Sequence, residues 1–407
     1  MEGHVSSCHG TVKMNILVLS YYYKPDIGPG ALRASSIVDA LIEQGPSNLK
    51  IDVLTTMPNR YHSFKIPAMK IEKNNNVSIH RFSLPSHKNR ILDQTLAFIS
   101  FSLSVQKFII KKKWDVVVAT SGRLMTASLA AWVAKQTRSK LYLDIRDLFT
   151  DTMKNILANK TLKIIMPIFT LIEKWTFLSA HKVNLISYGF KEYFQRINPN
   201  VSLSFYTNGV DEIFQRKKFL LKKSNNNPLI LYAGNIGDGQ GLEKIIPLAA
   251  RELKHINFKL IGDGSATKLL TNNDIIKSHD NVEILNPITR VDLIEEYQKA
   301  DILFLHLNNL KAFHKVLPSK IFEYAATAKP ILAGISGYGA KFLKDNVDGV
   351  EVFEPCNLAE MKIGLQKLLK KPKSIDRQNF CKEYSRSEIM KKFAKDILLL
   401  LNQKRNT

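Results

Sequence analysis

LPSKIFEYAATAKPILAG, residues 317–334, sets a helix and a strand end to end. Ile321, Phe322, Tyr324 and the alanines recur at helical spacing, Lys329-Pro330 stops the helix, and ILAG follows as an apolar, strand-like run. DILFLHL (301–307) lies upstream. The segment therefore reads as strand, helix, strand, the repeating unit of a parallel sheet. One carboxylate, Glu323, stands inside the helix, three residues after Lys320. It reads equally as half of an exposed i,i+3 ion pair and as a carboxylate presented to the vicinal hydroxyls of a ribose.

The same alternation extends in both directions. Upstream, NILVLS (15–20), IDVLTT (51–56), VVVAT (116–120), LYLDI (141–145), VNLIS (183–187) and LSFYT (203–207) are separated by helical patterns near 31–44, 92–112, 123–136 and 160–180. These runs are apolar without interruption, as parallel strands covered on both faces are. QRKKFLLKKSNNNP (215–228) breaks the pattern with charge, polar residues and a closing proline. LILYAG (229–234), FKLIGDG (258–264), VEIL (282–285) and GVEVF (349–353) then resume it, and one long helical pattern runs from Arg377 to Asn402. The fold class is α/β, with two Rossmann-like domains facing across a cleft. The expected boundaries are a flexible extension at 1–13, an N-terminal domain at 14–214 and a linker at 215–228. A C-terminal domain at 229–376 follows, with a terminal helical segment at 377–407.

A chain of 407 residues, 45% hydrophobic and 23% charged, builds two real cores. Cys8, Cys356 and Cys381 have no paired spacing, which argues against a disulfide framework or a zinc site and fits a reducing compartment. MEGHVSSCHGTVK lacks the apolar core of a signal peptide, and Met14 stands directly before the first strand. The net charge is +23, of which +14 falls in residues 1–210. Such an excess points to nucleic acid, anionic lipid or phosphorylated ligands. No nucleic-acid reading motif accompanies it, so no nucleic-acid partner is expected. ILDQTLAFISFSLSVQKFIIKKKW (91–114) is too short in its uncharged core to span a bilayer. It reads as a helix packed on the sheet whose exposed rim and lysines can meet lipid headgroups.

In such sheets ligands bind beyond the carboxyl ends of the strands. YYYKPDIGPGALR places Gly28, Gly30 and Arg33 after the first strand, and LDIRD places Asp144, Arg146 and Asp147 after another. Mutual ion pairing there competes with a role at the cleft. YTNGVD (206–211) closes the first domain with Asn208 at the junction. AGNIGDGQGLEK supplies Gly234, Asn235, Gly237 and Gln240 between a strand and a helix, a loop able to lay N–H groups along a diphosphate. Its spacing is not that of a dinucleotide fingerprint. IGDG (261–264) is a second such strand end, and Lys311, His314, Lys315 and Lys320 crowd the loop before Glu323.

Taken in order, YYYKPDIGPGALR, LDIRDLF, TNGVDEIF, YAGNIGDGQGLEKI, LIGDG and LPSKIFEYAATAKPILA resemble glycosyltransferase family 4 over residues 14–400. The resemblance implies retaining enzymes of the GT-B fold, many of them building bacterial O-antigen and capsule. It implies that Glu323 binds the donor's ribose and that the amides at Ser319 and Lys320 face the diphosphate and sugar. Gly234 to Gly241 would lie under the phosphates, and Gly28 to Gly30 across the cleft against the donor. The first domain would hold the acceptor, with Arg33 and Asn208 on that side, and the terminal helix would return to it.

The departures from the family pattern are specific. Lys315 occupies the position of the first glutamate of the family's pair, Asn235 and Gln240 those of two diphosphate cations, and Arg146 that of a histidine. The four basic residues of the 311–320 loop, Lys311, His314, Lys315 and above all Lys320, are expected to replace the missing charge. Arg146, Asp147 and Lys320 are the residues expected to act in catalysis. The donor is a nucleotide sugar, UDP-linked by expectation, and the acceptor an undecaprenyl-diphosphate-linked saccharide on an anionic membrane surface. No cofactor and no metal are expected, since no Asp-x-Asp stands at a strand end. The expected place is the cytoplasm, peripheral on the inner face of a bacterial membrane. A nucleotide-sugar 2-epimerase of the same fold and a silent sugar-nucleotide-binding partner subunit stand as alternatives.

Overall fold

The computed structural model describes residues 14–26, 28–59, 67–85, 91–156, 160–217, 219, 227–370 and 375–402. The expected extension at 1–13 and most of the expected linker, at 218 and 220–226, lie outside the described residues.

The first half runs β1 (Met14–Leu19), α1 (Pro29–Gln44), β2 (Leu49–Thr56), β3 (Ile71–Asn74), β4 (Val77–Phe82) and α2 (Ile91–Ile109). It continues through β5 (Val116–Ser121), α3 (Leu124–Thr137), β6 (Lys140–Ile145), α4 (Phe149–Ile156) and α5 (Lys160–Leu178). β7 (Lys182–Leu185), α6 (Lys191–Ile197) and β8 (Ser202–Ser204) complete it. The strands form one sheet in the order β3-β4-β2-β1-β5-β6-β7-β8. All pairs are parallel except the edge pair β3–β4. One core, with Leu17, Phe101, Val117, Leu143 and Phe177, fills one face, and a second, with Ile16, Val38, Val53, Val118 and Phe393, fills the other.

The second half opens with α7 (Glu212–Arg216), β9 (Leu229–Ala233), α8 (Leu242–Glu252), β10 (Asn257–Ile261), α9 (Thr267–Thr271) and α10 (Asp274–Lys277). β11 (Val282–Leu285), α11 (Arg290–Lys299), β12 (Ile302–His306), α12 (Lys320–Ala326), β13 (Ile331–Gly334) and α13 (Gly337–Asn346) follow. β14 (Val350–Phe353), α14 (Leu358–Lys370), α15 (Gln378–Glu383) and α16 (Arg386–Asn402) end the described chain. This sheet is wholly parallel, in the order β11-β10-β9-β12-β13-β14.

Two expectations are corrected. The strand expected at 203–207 stops at Ser204. Tyr206 N–H goes to the Asn184 side chain at 2.6 Å, and its carbonyl accepts from Arg33 and Asn184, so no ladder bond remains for it. The helical pattern from Arg377 is two helices, because the chain turns at Tyr384 and Ser385 bridges Val210. The stretch after β2, where the sequence predicts no element, holds an antiparallel hairpin whose edge strand β3, IEKN, carries no apolar signal. α16 does pack on the first sheet: Phe393, Ile397 and Leu401 join the core under α1, and Asp396 accepts from Tyr142 at 2.6 Å and pairs with Lys182.

Candidate functional site

The two sheets aim their strand carboxyl ends at each other, and several of the residues singled out in the sequence lie there. On the second domain, β9 delivers the chain into Gly234–Gly241. Its neighbour β10 ends at Gly262, where any Cβ would lie 1.8 Å from the Gly234 carbonyl oxygen. The two loops are laced by Ile236 N–H to Asp263 O (3.1 Å) and Ala266 N–H to Ile236 O (2.9 Å). Gly241, at φ 63°, turns the chain into α8 against Asn308. Asn308 Nδ2 donates to Asp238 O at 2.9 Å, and its N–H donates to Gly239 O at 2.9 Å. His306, 1% exposed at the end of β12, lies within 2.6 Å of Gln240 O through Nδ1 and accepts the Cys356 N–H on Nε2 at 3.0 Å. It is therefore a neutral imidazole with its proton on Nδ1, and burial pushes its pKa down to about 4.

This loop is more self-satisfied than the sequence suggests. Asn235 Nδ2 donates to Gln240 Oε1 (2.8 Å), which also accepts the Gly237 N–H (3.2 Å). The N–H groups of Gly234, Ile236, Asp238 and Gln240 are likewise donated within the protein. The expectation of a run of free amides is corrected. Asn235 and Gln240 close the loop on itself, and among the described residues the N–H groups of Asn235, Gly239 and Gly241 are the ones of this loop given no acceptor.

Beside the loop, Lys320 opens α12 with its Cε 3.9 Å from the Cβ position of Gly234. Its ammonium donates to Glu323 Oε2 at 2.7 Å, and Tyr297 OH donates to the same oxygen at 3.2 Å. Both readings of this pair meet here, since it is an i,i+3 ion pair but side-chain exposure is only 22% and 18%. Glu323 Oε1 accepts no bond from the described residues. Burial alone would raise the Glu323 pKa, but Lys320, Arg290 and Arg386 hold it below the ordinary carboxylate value. Ser319, at the N-cap of α12, makes no side-chain cap bond. Arg377 reaches in from after β14 and donates to the Tyr324 and Ala325 carbonyls at 3.3 Å, fixing the other end of α12.

The first domain's wall is built from the ends of β1, β5 and β6. Arg146 lies against Gly30, where a Cβ would sit 2.6 Å from its guanidinium, so that glycine makes room for the cation. Asp147 is exposed and accepts from Thr152 Oγ1 at 3.2 Å. Gly28 caps α1 and accepts Leu32 N–H on its carbonyl at 3.0 Å. Arg123, which sequence reasoning missed, donates to Tyr22 OH at 2.7 Å and stacks over the Tyr21 ring at 4.7 Å. The tyrosine run after β1 was its only sequence signal.

Two residues expected on the acceptor side do not face the cleft. Arg33 is 3% exposed, and its guanidinium donates twice to Asp144 (2.7 and 2.8 Å) and to the Thr207 and Tyr206 carbonyls. It ties α1 to β6 and to the domain junction. Asn208 is 7% exposed, and its carbonyl accepts from Arg386 Nε at 3.2 Å. Arg386 also pairs with Asp211 at 3.0 Å, and Arg290 joins that carboxylate. This cluster at the crossover behind Glu323 had no sequence signal, because its members come from three distant segments.

Lys315 does not face the glycine loop either. It crosses to the first domain, pairing with Asp151 at 2.7 Å, while its carbonyl accepts from Ser187 Oγ at 2.5 Å. A Cβ on Gly189 would lie 2.5 Å from that same carbonyl oxygen. The expectation that Lys315 supplies charge to a diphosphate is corrected, and Lys320 is the lysine that lies at the loop. Lys311 and His314 are exposed at the same turn.

Residues 213–388 match the sequence model of the family described as glycosyl transferases group 1. WcaI of Escherichia coli K12, named for glycosyl transfer in colanic acid biosynthesis, is 25% identical over 178 residues. That match takes in 42% of this chain and spans less than half, 44%, of the relative. Sucrose-phosphate synthase of Thermosynechococcus elongatus superposes at TM-score 0.63 with 13% identity, over 96% of this chain and 97% of that one. Anabaena HepE in complex with UDP and glucose superposes at TM-score 0.58 with 12% identity, over 97% and 98%. The fold is GT-B, two Rossmann-like parallel-sheet domains facing across a cleft.

Proposed function

We propose that this protein is a retaining glycosyltransferase that moves a sugar from a nucleotide-sugar donor onto a saccharide acceptor in bacterial surface polysaccharide synthesis. The observation that carries the reading is Glu323, held by Lys320 and Tyr297 beside the Gly234–Gly241 loop with Oε1 left to accept from a ligand. The family match over residues 213–388 covers this half of the site, and the UDP bound to the structurally similar HepE supports uracil as the base.

Glycosyl transfer expels a diphosphate while positive charge develops at the sugar's anomeric carbon. Cations and N–H groups fixed where that leaving group sits lower the barrier. Lys320 takes this role, with the N–H groups of Asn235, Gly239 and Gly241, and Arg146 faces the leaving group from the opposite wall. These groups do the work without a metal in this reading. The acceptor hydroxyl attacks from the face the diphosphate leaves, and a leaving phosphate oxygen takes its proton. Asp147 lies at the acceptor's side of this geometry. Closure of the two domains on each other completes the site and excludes water. The acceptor is an undecaprenyl-diphosphate-linked saccharide, met by the basic first domain at the inner face of the cell membrane. No helix of the described residues is long and apolar enough to cross a membrane.

Incubation with a panel of nucleotide sugars and lipid-linked saccharides tests this, scored by nucleotide release and product mass. Product mass rising by one sugar, and lost with Glu323→Ala, is the expected result. An isomerised sugar nucleotide formed without acceptor would make the protein an epimerase, and undiminished nucleotide binding by Glu323→Ala would sink the site.

A further inference from the structure

Two helices of the first domain turn apolar faces outward. On α5, Ile164, Ile168, Leu171, Trp175 and Leu178 recur at intervals of four and three residues and are 76%, 58%, 67%, 38% and 50% exposed. On α2, Leu96, Ile99 and Leu103 are 60%, 48% and 51% exposed, and Ile110, in the turn just after it, is 65% exposed. The opposite faces of these helices, with Phe101, Val105 and Phe177, already fill the core beneath them, with α3 packed between. The outward residues are therefore surplus to the fold.

Charge decides what covers them. Among the described side chains of α2, α3 and α5 the carboxylates are Asp93 and Glu173. Glu173 is 1% exposed and accepts from Thr150 N–H and Tyr193 OH. Among the described residues, the exposed charges on these three helices and in the turns that end them are Lys107, Lys111, Lys112, Lys113, Lys135, Arg138 and Lys174, and the neighbouring α6 carries the exposed pair Glu192–Arg196. A four-three stripe also suits a partner helix, but such seams are flanked by charges of both signs. Between Ile164 and Leu178 the only exposed charge is Lys174, so a second copy would meet cation with cation. Apolar residues with cations around them, and a tryptophan among them, match an anionic lipid interface.

Orientation adds to this. Both helices run back against parallel strands, so their N-termini stand at the strand carboxyl ends, where the candidate site opens. Leu96, Ile99, Ile164 and Ile168 thus lie toward the cleft end, and Lys111 to Lys113 at the far end.

We propose that α2 and α5 together seat the protein on an anionic lipid surface, the α5 stripe lying among acyl chains and the cleft opening held at headgroup level. This deepens the proposed function and rests on it only for the lipid-linked acceptor that the cleft would meet.

The test uses the full chain with vesicles of phosphatidylcholine alone or mixed with phosphatidylglycerol, in a flotation assay. Wild type is expected to float with the anionic vesicles. The Ile168→Asp/Leu171→Asp variant is expected to lose about tenfold or more of that partitioning, with melting temperature and UDP affinity unchanged. A Lys111→Glu/Lys113→Glu variant is expected to lose the salt-sensitive part. Wild type that stays off anionic vesicles, or an aspartate variant that floats like wild type, overturns the proposal. So does a wild-type dimer that the aspartate variant splits, which would make the face a homodimer seam. UDP binding is read in parallel: its absence in wild type counts against the transferase reading and leaves the flotation result standing.

Discussion

Lys315 and Asp151 face each other across the cleft from opposite domains, 2.7 Å apart, with side-chain exposures of 35% and 19%. The lysine stands where the resemblance implies a sugar-binding carboxylate, and its charge is spent on the other wall instead. Such a half-exposed pair contributes about 1 kcal/mol, too little to matter for folding but enough to shift a domain equilibrium about fivefold. Lys315→Asp is expected to open the cleft, raising the radius of gyration in solution scattering and weakening donor binding. Lys315→Asp combined with Asp151→Lys is expected to restore both. A double variant no better than the single one would show that the pair does not hold the domains.

Lys320 and Glu323 touch each other but are assigned different work, and kinetics separates them. Glu323→Ala removes the ribose acceptor and is expected to weaken nucleotide binding about 10- to 100-fold, the worth of charge-assisted hydrogen bonds. Lys320→Met removes charge stabilisation of the leaving diphosphate and is expected to lower kcat about 100-fold, with a smaller change in donor KM. Equal losses in kcat and KM from both variants would contradict this division.

Arg33 and Asp144 are 3% and 0% exposed, and each satisfies the other. Burial alone would raise the Asp144 pKa, but Arg33 and a bond from Asn184 hold it below the ordinary value. A depressed carboxylate contributes stability that is present above its unfolded pKa, near 4, and is lost as pH falls through the lower folded value. Asp144→Ala strands a buried guanidinium and is expected to destabilise the first domain by about 3–5 kcal/mol. Denaturant unfolding measures it, and a loss under about 1 kcal/mol would show the pair to be dispensable.

What the sequence made legible follows distance along the chain. β1, β5 and β9 are buried on both faces, so each shows as an unbroken apolar run. The Lys320–Glu323 pair shows because its members are three residues apart on one helix. β3, with the sequence IEKN and largely exposed at a sheet edge, carries no such signal. Arg33 and Asp144 are 111 residues apart, and Lys315 and Asp151 are 164 apart. Each of these residues reads singly as a polar group at a strand end, and only the folded chain shows whether it meets a ligand or another side chain. Gln240 misled for a subtler reason, because a glycine-rich spelling signals room for free amides but not that a neighbouring side chain has already taken them.

His306 gives the site a pH dependence of its own. Its acceptance of the Cys356 N–H on Nε2 requires the neutral ring, whereas the Nδ1–H bond to Gln240 O does not, and burial pushes its pKa down to about 4. In the unfolded chain the imidazole titrates near 6.5. The stabilisation is therefore complete above about pH 6.5 and is lost progressively as pH falls from there to about 4, on the order of 3 kcal/mol in all. Charging the buried ring breaks the Cys356 bond and favours its leaving for water, which releases the Gln240 carbonyl, so local opening of Gly234–Gly241 should come before global unfolding. Hydrogen exchange at the Gly237 and Asp238 amides is expected to accelerate between pH 6.5 and 4.5, after correction for the intrinsic rate, while β12 amides stay protected. His306→Leu keeps the bulk without the two bonds, so its loop is expected to exchange fast at every pH and to show no titration. A His306→Leu loop that still responds to pH over that window would place the sensitive group elsewhere.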